Sequence, residues 1–270
     1  MAPTSLKKKS RAQTIHRGIQ LAFLLWSMVS LSWLANSVRT QNVADELLRS
    51  SNDLTVLHRT TTLDFLPRKR RAASALVFIC GSGIHPEAYA PLLRPIADLG
   101  YPVFTIKLPY RFAPLDSHKG QAVARVRKVV SGHPEITHWV IAGHSLGGAL
   151  AARVAHTTEG LHTAFVLIGT THPKEDDLSG IGAPFTKIYA TNDGIAPVDR
   201  VMASRALLPK ETNWVRIRGG NHSQFGHYGH QLFDGEATIT REAQQAITRG
   251  ALLEALRGKA IATQPFLHSE

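Results

Sequence analysis

The sequence predicts an α/β domain, a mainly parallel and doubly wound sheet with helices on both faces, preceded by an N-terminal hydrophobic helix. Three observations carry this. Short apolar runs at 75–80, 103–106, 139–142, 163–168, 185–190 and 214–217 alternate with stretches of helical period. Such runs suit strands buried on both faces, which requires helices above and below them. A separate 17-residue apolar run, 19–35, stands ahead of all of them.

That first run follows Lys7, Lys8, Lys9, Arg11 and Arg17 and is broken only by Gln20, Ser27, Ser30 and Ser32. Basic then hydrophobic is the order of both secretory signals and N-terminal anchors. The run is long for a signal core and long enough to span hydrocarbon. Trp33 sits where an interfacial aromatic belongs. Residues 1–17 are therefore a basic tail and 18–36 a transmembrane anchor or signal. The expected location is membrane-anchored with the catalytic domain extracytoplasmic. If the small-x-small group Ala35-Asn36-Ser37 is cut and residues 1–37 are lost, the protein is secreted.

Residues 37–54 read as a linker with a short helix at 41–52, carrying Val43, Leu47 and Leu48 on one side, and 55–270 as the globular domain. The β-rich stretch 55–65 precedes Pro67 and the tetrad Arg68-Lys69-Arg70-Arg71, read as a solvated turn between strands. After the strand 75–80 comes a helix with Tyr89, Leu92, Leu93, Ile96 and Leu99 on one face, stopped by Gly100. Pro95 is expected to kink it. Val123, Val126 and Val130 mark the next helix. Strand 139–142 leads into Gly143-His144-Ser145-Leu146-Gly147-Gly148 and a helix to about His156. A helix is expected over 200–208, and Thr240 can cap a last one running to Gly258.

Charge and cysteine narrow the function classes. Residues 1–71 hold 12 Lys/Arg against 4 Asp/Glu, and the rest 19 against 16, so most of the net +11 belongs to the N-terminal segment. No basic stripe interleaved with aromatics exists to bind nucleic acid. The single cysteine, Cys80, excludes an intramolecular disulfide and argues against a cysteine zinc site.

A strand, a G-x-S-x-G turn and a helix, in that order, form a nucleophile elbow. Gly143 and Gly147 permit the sharp turn, and Ser145 is presented at a helix N-terminus, where developing negative charge is favoured. Leu146 N–H is the natural first oxyanion donor. A serine hydroxyl needs a base, and the base an orienting acid. Asp193, in a turn after strand 185–190, is the candidate acid, with Asp176, Asp177 and Asp199 as competitors. His222, in a glycine-rich loop after the last strand, is the candidate base. A metal site of His222, His227 and His230 is disfavoured by Gly226 and Gly229, which break rigid ligand spacing. No cofactor is expected. The second oxyanion donor is expected from Gly81-Ser82-Gly83, with Ser82 preferred to Gly83. Cys80 lacks the elbow context and reads as a small buried apolar residue.

These residues resemble a known family. The stretches 86–92, 139–148, Asn192-Asp193-Gly194 and 219–231, continuing through 234–239, are similar to the small hydrolases grouped as alpha/beta hydrolase fold-5. The resemblance implies an α/β-hydrolase fold without a cap domain and places Ser145, Asp193 and His222 at the family's triad positions. Two departures stand out. Cys80-Gly81-Ser82-Gly83 replaces a Pro-Gly-Gly-like oxyanion stretch, and Phe233 stands where similar members carry Gly.

The expected chemistry is acyl transfer from an ester-like small-molecule substrate to Ser145, then to water. Only 16 residues separate 168 from 185, too few for a helical cap there. An open site suits small or accessible acyl substrates better than long-chain lipids. Two alternatives share the scaffold: an acyltransferase with the same triad, and a noncatalytic membrane-anchored binding protein.

Overall fold

The computed structural model describes residues 11–69, 71–157 and 162–258. The basic cluster Lys7–Lys9 and Arg70 of the tetrad lie outside the described residues. Eight strands form one sheet in the order β1-β2-β4-β3-β5-β6-β7-β8. The first two, β1 (Leu54–His58) and β2 (Thr62–Pro67), are antiparallel, and β2 runs antiparallel to β4 (Val103–Ile106). From β3 (Ser74–Ile79) through β5 (His138–His144), β6 (Thr163–Ile168), β7 (Phe185–Ala190) and β8 (Asn213–Ile217), every pairing is parallel.

Apolar runs form these strands because both sheet faces are covered. Side chains alternate across a strand. On β3, Leu76 and Phe78 join the core on one face, while Ala75, Val77 and Ile79 join the core on the other. The first core is closed by α2 (Ala90–Asp98) and α6 (Arg241–Leu256), through Leu92, Leu93, Ile96, Leu252 and Leu256. The second is closed by α3 (Asp116–Ser131) and α4 (Leu146–Ala155), through Val123, Val126 and Leu150. Truncating a fully buried ring such as Phe78 to alanine would cost about 3–5 kcal/mol. Thr240 caps α6 as expected, its hydroxyl accepting from Ala243 N–H at 3.1 Å.

Several helices differ from expectation. The helix predicted over 41–52 is one 3₁₀ turn, Asp45–Leu48, with no side-chain cap at its start. It is held from outside, by Arg94 donating to the carbonyls of Glu46, Leu47 and Arg49 at 2.7–3.0 Å. A 3₁₀ turn, Pro86–Tyr89, precedes α2, which continues through Pro95 to Asp98. The helix expected over 200–208 is α5 (Val198–Ala203) followed by a 3₁₀ turn to Leu207.

The N-terminal helix α1 (Arg11–Ser37) has 27 residues, and its most apolar stretch is 0% buried. By length and composition it can cross a membrane. Its end is docked rather than free. Thr40 bridges Tyr228, Gln41 N–H donates to the His227 carbonyl at 2.9 Å, and Val38, Val43, Leu47 and Leu48 pack on the first core.

Candidate active site

Ser145 joins β5 to α4 with φ 56° and ψ −118°, a conformation that non-glycine residues rarely adopt. The elbow is enforced by contact. A side chain at Gly143 would strike the Gly147 carbonyl, and one at Gly147 would strike that of Ile79 at the end of β3. The turn leaves Ser145 half-buried at the carboxyl edge of the sheet, where doubly wound folds bind ligands.

Asp193 and His222 meet over that edge. His222 Nδ1 lies 2.8 Å from Asp193 Oδ2, and both side chains are almost wholly buried. The other Asp193 oxygen accepts from Ile195 N–H at 2.9 Å and Ala196 N–H at 2.6 Å. A carboxylate so satisfied fixes the imidazole with its proton on Nδ1 and a lone pair on Nε2. His222 Nε2 is buried and bonds to no described group. The ring lies 4.5 Å, centroid to centroid, from that of His144, the residue before Ser145. A nucleophile–base hydrogen bond commonly tightens only when substrate binds. Of the competing acids, Asp176, Asp177 and Asp199 are exposed, and Asp177 caps Ser179 N–H instead.

The oxyanion candidates separate cleanly. Leu146 is the first residue of α4, so its N–H has no acceptor within the helix. Gly81 N–H is taken by the Tyr89 hydroxyl at 3.0 Å. Gly83 N–H donates to the Arg111 carbonyl at 2.9 Å, so it is not available as a donor, which corrects its place among the candidates. Ser82 N–H, between them, donates to no described group, while its hydroxyl donates to the Phe112 carbonyl at 3.2 Å.

Residues with no obvious motif build the frame. Burial holds the Tyr89 phenol well above its ordinary range, and it bridges Gly81 to His144 Nδ1, 3.0 Å away. Burial first, and the neighbouring His222 second, hold His144 well below the usual imidazole range, so it stays neutral. The arrangement that satisfies the phenol has its O–H donating to His144 Nδ1. Asp234 binds the two site loops together. One oxygen accepts from the N–H groups of His222 (3.1 Å), Gly194 (3.2 Å) and Gly235 (2.9 Å), and the other from Ser223 N–H and hydroxyl at 2.8 and 2.7 Å. Behind them, the Gln244 amide exchanges hydrogen bonds with the backbone of Asn221, and Tyr228 donates to the His222 carbonyl. Phe233, the departure noted in the sequence, has φ 68°, which explains why glycine suits the position.

The three histidines of the metal reading do not converge. His222 Nδ1 faces Asp193 and His230 Nε2 the Asp234 carbonyl, and the described residues hold no cluster able to bind a metal. Burial raises the Cys80 thiol well above its ordinary range, which keeps it unreactive.

A mainly parallel eight-stranded sheet, a strained serine elbow after its fifth strand and loops converging at the carboxyl edge define the α/β-hydrolase class. The model of the Alpha/beta hydrolase family matches residues 75–246, well over half the chain. The chain belongs to the alpha/beta hydrolase family and is a hydrolase by fold. Solved structures share its fold at low identity. A ferulic acid esterase from Streptomyces cinnamoneus is 18% identical, with a TM-score of 0.60 over 76% of this chain and 72% of that one. An α/β serine hydrolase without lid from Xanthomonas campestris is 18% identical, with a TM-score of 0.53 over 80% and 99%. Est1E from Butyrivibrio proteoclasticus is 12% identical, with a TM-score of 0.54 over 76% and 100%. No curated protein matches the sequence significantly.

Proposed function

We propose that this protein is a serine hydrolase that cleaves an ester-like acyl bond through Ser145, His222 and Asp193. The observation that carries this is the buried 2.8 Å contact between His222 Nδ1 and Asp193 Oδ2, beside a serine held at positive φ. His222 Nε2 takes the Ser145 proton as the hydroxyl oxygen attacks the acyl carbonyl. Leu146 and Ser82 N–H groups donate to the oxyanion, and the protonated imidazole gives its proton to the departing alcohol. Water then repeats the sequence on the acyl-enzyme and releases the acid. Asp193 stays ionised and stabilises the imidazolium. The ferulic acid esterase neighbour, by its name, is consistent with an ester.

We further propose that α1 anchors the chain with the 55–270 domain on the extracytoplasmic side. The unburied apolar stretch and the basic residues before it support this. The test of function is covalent labelling by a fluorophosphonate followed by a panel of esters. Labelling of wild type but not Ser145→Ala is expected, and labelling that survives in the alanine variant would sink the assignment. The test of topology is retention in the membrane fraction after a carbonate wash with the N-terminus still present. Recovery of a soluble form starting near Val38 would establish cleavage instead.

A further inference from the structure

Outside α1, eight large apolar side chains are exposed among the described residues. Two, Leu99 and Ile247, lie at the end of α2 and within α6. The other six are Tyr110, Phe112, Leu115, Ile195, Leu232 and Phe233, with exposures from 38% to 80%. All six sit on loops that follow β4, β7 or β8, so they share the carboxyl edge of the sheet with Ser145. Scattered apolar residues need no explanation, but a rim of them around one edge marks an interaction surface.

The end of α1 arrives at the same edge. Its Asn36 carbonyl abuts Gly229, in the loop after β8, and Val38 abuts Gly83, in the loop after β3. A cleft of about 450 Å³ runs between helix and loops, lined by Ala35 and Asn36 on one side and His85 and Arg111 on the other. Distance then decides where the rim lies. Val38 is three residues past Ala35, the end of the apolar run, and three residues reach roughly 5–10 Å. The headgroup layer on each side of a bilayer is about 5–8 Å thick. A helix seated in hydrocarbon therefore holds the oxyanion loop at headgroup level. Arg39, exposed just past the helix, and Arg111 place cations at the depth of the lipid phosphate groups.

We propose that the carboxyl edge of the sheet rests on the surface of the membrane that α1 spans, and that the site draws its substrate, a lipid ester, from that leaflet. The proposal rests on the hydrolase and anchor readings above and departs from the sequence-based preference for small or accessible acyl substrates over long-chain lipids. The apolar rim and the bilayer take the place of a lid: the rim displaces water from the mouth, and the acyl chain stays in an apolar medium until the carbonyl reaches Ser145.

The experiment uses the full chain in vesicles of phosphatidylcholine and phosphatidylglycerol. Spin labels are placed singly through Leu115→Cys, Leu232→Cys and Leu99→Cys, since buried Cys80 does not compete for the reagent. Labels at 115 and 232 are expected to be shielded from a water-soluble nickel chelate and open to oxygen, with the reverse at 99. Equal nickel access at all three positions, or failure of the chain to remain in the vesicles, overturns the proposal. This readout does not depend on catalysis. In parallel, Leu115→Ser combined with Leu232→Ser should lower the ratio of turnover on a vesicle-borne long-chain ester to turnover on a soluble acetate ester by about tenfold. An unchanged ratio also overturns it. If wild type hydrolyses neither ester and takes no fluorophosphonate, the hydrolase reading has failed, and the label depths still decide whether the rim meets lipid.

Discussion

Asp193 Oδ2 lies 2.8 Å from His222 Nδ1, although 29 residues separate them in the chain. The two loops meet because β7 and β8 are adjacent and parallel, and each loop leaves the same edge. Asp193→Asn should reduce turnover by on the order of 10⁴, because the amide favours the wrong imidazole tautomer. Asp176→Asn, Asp177→Asn and Asp199→Asn should each stay near wild type. Steady-state kinetics on one soluble ester checks all four. Near-normal turnover in Asp193→Asn, with a collapse in one of the others, would move the acid elsewhere.

The elbow stores strain that a glycine can release. Ser145 at φ 56° and ψ −118° occupies a region that costs about 1–3 kcal/mol for a residue with a Cβ. Glycine gives back about 0.5–1 kcal/mol through the entropy of the unfolded chain. Ser145→Gly should therefore be more stable than Ser145→Ala by about 1 kcal/mol, with both variants inactive. Urea denaturation of the pair measures the difference, and a glycine variant less stable than the alanine variant by about 0.5–1 kcal/mol would mean the elbow is unstrained.

Tyr89→Phe removes an oxygen and leaves the volume nearly intact. Gly81 N–H then has no acceptor in a buried site, and His144 Nδ1 loses its partner. A buried unsatisfied donor costs about 1–3 kcal/mol. The unfolding free energy should fall by that amount, seen as a lower denaturation midpoint with the m-value unchanged, and turnover should drop as the loop 81–83 loosens. An unaltered midpoint would show that Tyr89 does not hold Gly81.

How far such relationships could be read from the sequence depends on range. The strands 103–106, 163–168 and 185–190 were legible to the residue, because continuous burial leaves an unbroken apolar run bounded by turn residues. The elbow was legible because its glycines are demanded by backbone collisions within one turn. Tyr89 was legible only as an apolar position on a helix face. Its partner His144 is 55 residues away, and no local period encodes that contact. Among Gly81, Ser82 and Gly83 the pattern favoured Ser82 but kept Gly83 as a second candidate, since only the tertiary contacts show Arg111 and Tyr89 occupying the other two N–H groups. The short helix expected near 45 shrank to one turn because Arg94, 45 to 48 residues on, takes its carbonyls.

Asp234 connects the turn of Asp193 to the loop of His222, accepting from Gly194 on one side and from His222 and Ser223 on the other. In Asp234→Asn the amide NH₂ can face the Ser223 donors or the three N–H groups, and either choice opposes donors to donors. The expected loss is about 1.5–3 kcal/mol of stability, typical of hydrogen bonds to a charged group. A displacement of the imidazole on the order of 1 Å should lower turnover roughly 10²-fold. KM for a small ester should change little, because Asp234 does not face the substrate. Wild-type turnover in this variant would show that the loops are positioned without it.

Lys187 offers a test of the fold by pH. It lies on β7, 0% exposed, with Nζ donating to the His172 carbonyl and to Ser204 Oγ. Burial lowers its pKa from 10.5 to about 7. Between those values the unfolded chain carries a proton at this site and the folded chain does not, so stability rises with pH across the window. Below about pH 7 both states are charged and the fold bears the full penalty of a buried ammonium. Over a pH span of about 3.5 the maximum gain is on the order of 5 kcal/mol, at up to about 1.36 kcal/mol per pH unit. His172, lowered to about 4 chiefly by burial, adds a slope of the same sign between about pH 4 and 6.5. Lys187→Met abolishes the upper slope only. It should be more stable than wild type at pH 6, where the buried charge is removed. Near pH 10 it should be no better or slightly worse, where it lacks the bonds of neutral lysine to His172 and Ser204. Urea midpoints at pH 6, 8 and 10 decide the matter: parallel pH profiles for the two proteins would mean that Lys187 keeps an ordinary pKa and finds water in the folded state.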